Sequence, residues 1–197
     1  MTKTKQQVLS EFRHSEIVNA ARTVFARKGY ASGIMDEIAK EAGVAKGTIY
    51  LYFKSKHEIY RAVLIKDMES LKKNTLERMK AATTLRDKIG AFTLARLENS
   101  EERKDFFRIM DSDSAHLSLS SRQYRDWLRE PVLLLAAEIE DAAKRGEIRP
   151  LPAEKVAWLT ADITRGTIQR RLLGKSENTP AQDSEFLTSF IWSALAI

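Results

Sequence analysis

Apolar residues recur at helical spacing from the first third of the chain to its end, and only four prolines interrupt the pattern. The expected fold class is therefore all-α. Ile17, Ala20, Ala21, Val24 and Phe25 share one face of a first helix, which Gly29 stops. Met35, Ile38, Ala39 and Ala42 then recur at i, i+3, i+4 and i+7 and lay a stripe along a short second helix. Asp36 and Glu37 fall in its first turn, where the helix dipole favours negative charge. Gly43 ends it, because glycine accepts the left-handed backbone such a stop requires. A third helix is expected from about Ala45 to Tyr52, and a fourth from near Ser55 to about Lys80. Ser55 and Glu58 stand at capping-box spacing at its start. Further helices are expected near 83–99, 101–113, 121–145, 153–173 and 183–196. Pro131 either kinks the third of these or opens a separate helix. Gly146 with Pro150 and Pro152 marks one break, and 174–180 another. The polar stretch 111–121 reads as a loop.

The second and third helices form a helix-turn-helix with a distinctive outer arc. At about 100° per residue, Lys46, Gly47 and Tyr50 share one side of the third helix, while Ala45 and Ile49 lie towards the core. Lys46 suits a phosphate or the acceptor edge of guanine, and Gly47 lets backbone approach a sugar-phosphate wall. Tyr50 offers a hydroxyl for phosphate and a ring face for a thymine methyl. Lys56 falls in the first turn of the fourth helix, where free amides already attract phosphate. On the hairpin alone, an ordinary solvated helical pair remains open as an alternative.

Charge sharpens this picture. The net charge is +6; residues 1–60 hold ten Lys/Arg against six Asp/Glu and contribute +4, and the other 137 residues contribute +2. The basic surplus gathers around the presumed double-stranded DNA reader. The first dozen residues, with Lys3 and Lys5, read as an arm for the minor groove or as a disordered terminus. Cysteine is absent, which excludes disulfides, thiol catalysis and thiolate metal sites. His14, His57 and His116 are scattered, and no phosphate loop or nucleophile motif occurs, so no enzyme, catalytic residue, metal or cofactor is expected. No run of about 18 apolar residues could span a bilayer and no signal-peptide pattern opens the chain, so a cytoplasmic protein without a membrane partner is expected.

Phe25, Gly29-Tyr30, Ile38-Ala39, Ala42-Gly43-Val44, Lys46-Gly47, Ile49-Tyr50, Tyr52-Phe53 and Lys56 resemble the N-terminal domain of TetR/AcrR-type transcriptional regulators, over roughly residues 13–63. The resemblance implies a three-helix DNA-binding domain with its arm in residues 1–54, and a larger helical domain in 55–197 that dimerises and binds a small molecule. It further implies a ligand-responsive repressor that binds a palindromic operator as a homodimer and is released by a small-molecule effector. DNA contacts would fall on Ala45, Lys46, Gly47, Thr48, Tyr50, Tyr52 and Lys56. One departure stands out: Gly33-Ile34 replaces the consecutive Ser/Thr that usually open the second helix, and Ser32 is expected to supply the cap.

In the larger domain, Val156, Leu159 and Ile163 on one helix and Phe186, Phe190 and Ile191 on the last are expected to form the dimer interface. The alternative is that these stripes face only their own subunit's core. Phe92, Phe107, Met110, Trp127 and Trp158 are the candidate ligand-binding residues. Arg165, between Ile163 and Ile168 on a helix expected to be buried, is the polar group favoured to orient the effector, ahead of Arg96, Arg108 and His116.

Overall fold

The computed structural model describes residues 4–102, 104 and 121–197. The described residues form helices and connections without a strand: α1 Lys5–Ser32, α2 Met35–Glu41, α3 Lys46–Tyr52, α4 Lys56–Ala81, α5 Leu85–Glu102, α6 Ser121–Lys144, α7 Ala153–Leu172 and α8 Pro180–Leu195. They divide into two compact units, one ending at Asp67 and the other beginning at Met68, so the division falls within α4. The helix expected at 101–113 and the loop expected at 111–121 lie almost wholly outside the described residues.

The first unit is built on α1. Its start is set by a capping box in which Gln7 N donates to Thr4 Oγ1 at 3.2 Å and Thr4 N donates to Gln7 Oε1 at 2.9 Å. The stretch expected as an arm is consequently helical from Lys5 onward. Gly29, with φ 73°, interrupts the helix where the sequence placed its stop, and a short turn continues to Ser32. Gly33 is required by packing, since a Cβ there would stand 2.9 Å from Phe25 Cδ1. This accounts for glycine at 33, and the expected cap is corrected as well. Ser32 still belongs to α1, and Ile34 occupies the α2 N-cap without a side-chain hydrogen bond.

Ile17, Val18, Ala21, Val24 and Phe25 of α1 bury against Ile38 and Ala39 of α2, Ile49 of α3, and Ile59, Tyr60, Val63 and Leu64 of α4. The rings of Phe25, Tyr30 and Tyr60 meet pairwise at 4.8–5.9 Å between centroids. At the start of α4, Glu58 N donates to Ser55 Oγ, while the Glu58 carboxylate reaches back to Lys54 N at 2.6 Å. Polar clasps then hold α4 to α1. Lys66 Nζ donates to Ser15 Oγ and Asn19 Oδ1 at 2.8 and 3.0 Å, and Arg22 pairs with buried Asp67 at 2.7 Å.

In the second unit, one core combines Met79 of α4, Leu85, Ile89 and Phe92 of α5, Leu128, Val132, Leu135 and Ile139 of α6, Ala157 and Ala161 of α7, and Ile191 and Leu195 of α8. The helix α6 continues through Pro131 as one element, resolving that ambiguity in favour of continuity. The last helix begins three residues before its expected start at 183. Thr179 caps it with Gln182, and Pro180, read as part of a break, occupies an early position where its fixed φ is already helical. Helices α5 and α8 approach through small residues: Thr93 and Ser184 share a 2.7 Å hydrogen bond, and Gly90 leaves room for Thr188. Arg171 of α7 joins Asp183 of α8 at 2.7 Å and Glu101 of α5 at 2.8 Å. Burial opposes the charge on Asp183, but hydrogen bonds from Asn178, Arg171 and Ser176 outweigh it and hold this carboxyl below its ordinary range.

Candidate DNA-reading site

The turn between α2 and α3 is closed by Gly43, with φ 64°, whose N–H and that of Val44 bond back to carbonyls of α2. Buried Ile49 anchors α3 to the core, and this fixes which side faces out. Ala45, Lys46, Gly47, Tyr50 and Leu51 are exposed, with Tyr50 at 48%. Ala45 was assigned to the core side by helical angle; as the extended N-cap of α3 it is exposed instead. Thr48 is half-buried, and so is Tyr52, whose ring lies edge-on to His14 at 6.5 Å.

Gly47 is informative because nothing in the fold calls for it. A Cβ built there meets no atom within 4 Å, and the residue lies inside a helix, where glycine is disfavoured. An open backbone on an exposed helix face suits close approach by another molecule.

The two lysines are held differently. Lys46 Nζ lies 2.9 and 3.1 Å from the two carboxylate oxygens of Asp36, and this hydrogen bond, reinforced by charge attraction, raises the Lys46 pKa. Lys56 Nζ donates to the carbonyls of Tyr30 and Ala31 at 2.8 and 3.1 Å and sits 4.4 Å from the Tyr30 ring centroid. Lys56 thus fastens the end of α1 to the start of α4, leaving one of its three donors for an outside acceptor. The partner of Lys46 was not foreseen; acidic residues in a first helical turn read simply as dipole complements.

Residues 17–63 match the model of the bacterial regulatory proteins of the tetR family. These residues form a TetR-family DNA-binding domain. Its match to the HTH-type transcriptional regulator YhgD of Bacillus subtilis is 26% identical and covers 75% of this chain and 78% of that one. The match to the HTH-type transcriptional activator FasR of Mycolicibacterium smegmatis is 33% identical, covering 67% of this chain but only 54% of the relative. The crystal structure of the transcriptional regulator FadR from Bacillus subtilis in complex with stearoyl-CoA superposes with TM-score 0.69 at 23% identity, covering 91% of this chain and 98% of that one, a likeness of fold. The chain is a DNA-binding transcriptional regulator, not an enzyme.

In the larger unit, Phe92 is fully buried, and Trp127 and Trp158 are partly buried against the same core. Phe107 and Met110 lie outside the described residues. Arg165 is exposed, contrary to the expectation of a buried position. The inward stripe of α7 runs through Ala157, Ala161, Thr164 and Ile168, and residue 165 lies past its edge, about 100° round the helix from Thr164. Arg96, by contrast, is buried at 3% exposure, with its guanidinium carbon 5.3 Å from the Phe92 ring centroid.

The expected dimer residues also divide. Leu159, Phe186 and Phe190 are exposed, and Val156 and Ile163 are half-buried. The Phe186 and Phe190 rings stack at 6.4 Å on the outer face of α8. Ile191 is a correction, since with Leu187 and Leu195 it faces the protein's own core. Among the described residues no acidic or histidine cluster could hold a metal, and no helix is long and apolar enough to cross a membrane.

Proposed function

We propose that the chain is a ligand-responsive repressor that binds a palindromic operator as a homodimer in the cytoplasm and is released by a small-molecule effector. The observation that carries the DNA-binding part is the outer face of α3, where exposed Ala45, Lys46 and Tyr50 surround a glycine that the fold does not need. In this reading residues 1–54 contain the reader and 55–197 the sensor and dimer contacts. Tyr50 and Lys46 meet base edges, Gly47 admits the sugar-phosphate wall, and Thr48, Tyr52 and Lys56 meet phosphates. Leu159, Phe186 and Phe190 supply the exposed centre of the dimer face, flanked by Val156 and Ile163. Two readers so joined would address half-sites about 34–36 Å apart.

The effector is proposed to be lipophilic. FadR of Bacillus subtilis was crystallised with stearoyl-CoA, and the larger unit here offers Phe92, Trp127 and Trp158 together with buried Arg96. Phe107 and Met110 are retained as proposed wall residues, whereas Arg165 is not, because it faces outward. An effector that prefers a state unfit for DNA shifts the population by its differential affinity, typically about 1–3 kcal/mol. The sign of regulation depends on where the operator lies; FasR is named an activator.

Selection from a randomised duplex library tests the reading. The full chain should enrich a palindrome and retard it in gels as one dimer or a pair, and Tyr50→Ala should lower the preference over scrambled DNA. Binding that stays indifferent to sequence at moderate salt would refute the specific-regulator reading.

A further inference from the structure

Beside the outward surface of α3 stands a carboxylate of α2 that a purely phosphate-binding surface would not need. Asp36, more than half exposed in the first turn of α2, faces Lys46 Nζ with both oxygens. The other α2 carboxylates turn to α1 instead, Glu37 to Lys28 and Glu41 to Arg27. The helix dipole accounts for an acid in the first turn of α2 but not for its pairing with Lys46 at the start of α3, since exposed ion pairs contribute little to stability.

Its electrostatic effect on DNA binding is easier to state. A solitary Lys46 would be a point charge attracted to every phosphate, which adds affinity for all sequences alike. Paired with Asp36 it forms a unit of no net charge, and a phosphate that nears the ammonium also nears the carboxylate. A G·C pair in the major groove presents something different: guanine O6 and N7 accept hydrogen bonds, and cytosine N4 donates one. An ammonium beside a carboxylate matches that order of acceptors and donor.

We propose that Asp36 is a specificity-determining residue, which holds Lys46 so that the pair reads a G·C base pair in the major groove and discourages binding to phosphate alone. The proposal rests on the DNA-binding reading above and adds to it a residue and a base preference. The raised pKa of Lys46, due first to its hydrogen bond with Asp36, keeps the ammonium charged over the range in which it would act.

The test compares wild type, Asp36→Asn and Glu41→Gln of the full chain on the duplex enriched by wild type and on a scrambled duplex of equal length, across a salt series. Asp36→Asn should bind the scrambled duplex about three- to tenfold more tightly, with a salt slope steeper by about one. Its affinity for the enriched duplex should change less, so the ratio of the two falls by at least about threefold. Repeating the selection with Asp36→Asn should erase one G·C preference in each half-site. Glu41→Gln, the same charge change at a pair that does not involve α3, should leave the ratio within about twofold. An unchanged ratio in Asp36→Asn, an equal fall in Glu41→Gln, or an undiminished G·C preference would overturn the inference while leaving the regulator reading standing. Failure of wild type to enrich any sequence would remove both.

Discussion

A glycine within a helix costs about 1 kcal/mol relative to alanine, and at Gly47 of the seven-residue α3 no neighbour within 4 Å requires it. Gly47→Ala should therefore leave thermal stability unchanged or raise it by up to about 1 kcal/mol, while weakening binding to the selected duplex. Parallel thermal melts and gel shifts check this; a variant that is destabilised and binds DNA normally would mean that the glycine serves the fold. At this scale much was legible in sequence, because Lys46, Gly47 and Tyr50 each carry their chemistry in their identity. The engagements of the lysines were not. Asp36 reaches Lys46 across the turn, and Lys56 reaches back to Tyr30 and Ala31, contacts that only the folded chain brings together.

Among elements, the junction of α5, α7 and α8 depends on the buried pair of Arg171 and Asp183. The carboxyl of Asp183 is held below its ordinary range, so its stabilisation is present above the unfolded carboxylate pKa of about 3.9 and is lost as pH falls through the lower folded value. Asp183→Asn should cost about 2 kcal/mol at neutral pH, and the gap between wild type and variant should close under acid, as read by denaturant melts from pH 6 to about pH 2. A gap that persists unchanged under acid would show that the carboxylate's charge is not what stabilises the junction. Periodicity located these helices well but assigned their inward faces less reliably. Arg165 and Ile191 were both placed by apolar neighbours, yet one is exposed and the other buried. A stripe on a helix contacted by several others is too broad for neighbour identity to settle a single position. Pro180 shows a related ambiguity, since the same residue can end one element or begin the next.

At the scale of the whole molecule, Phe186 and Phe190 are 68% and 58% exposed, so charge placed there should leave the folded subunit intact. Phe186→Glu with Phe190→Glu is expected to give a folded monomer by sedimentation and to reduce operator affinity by at least about tenfold, because the half-sites are then read singly. A stable double-variant dimer would place the interface elsewhere. The proposed two-part division was legible from the resemblance, but the position of the compact units' boundary was not, because it falls inside a continuous helix rather than at a composition change. The first unit runs to Asp67, and Lys66 and Asp67 reach Ser15, Asn19 and Arg22 through side chains. Grafting this reader onto a foreign sensor would therefore call for a joint after Asp67. A chimera joined after Lys54 would carry every proposed base-facing residue of α3 and yet forfeit Ile59, Tyr60, Val63 and Leu64, which close the core beneath it.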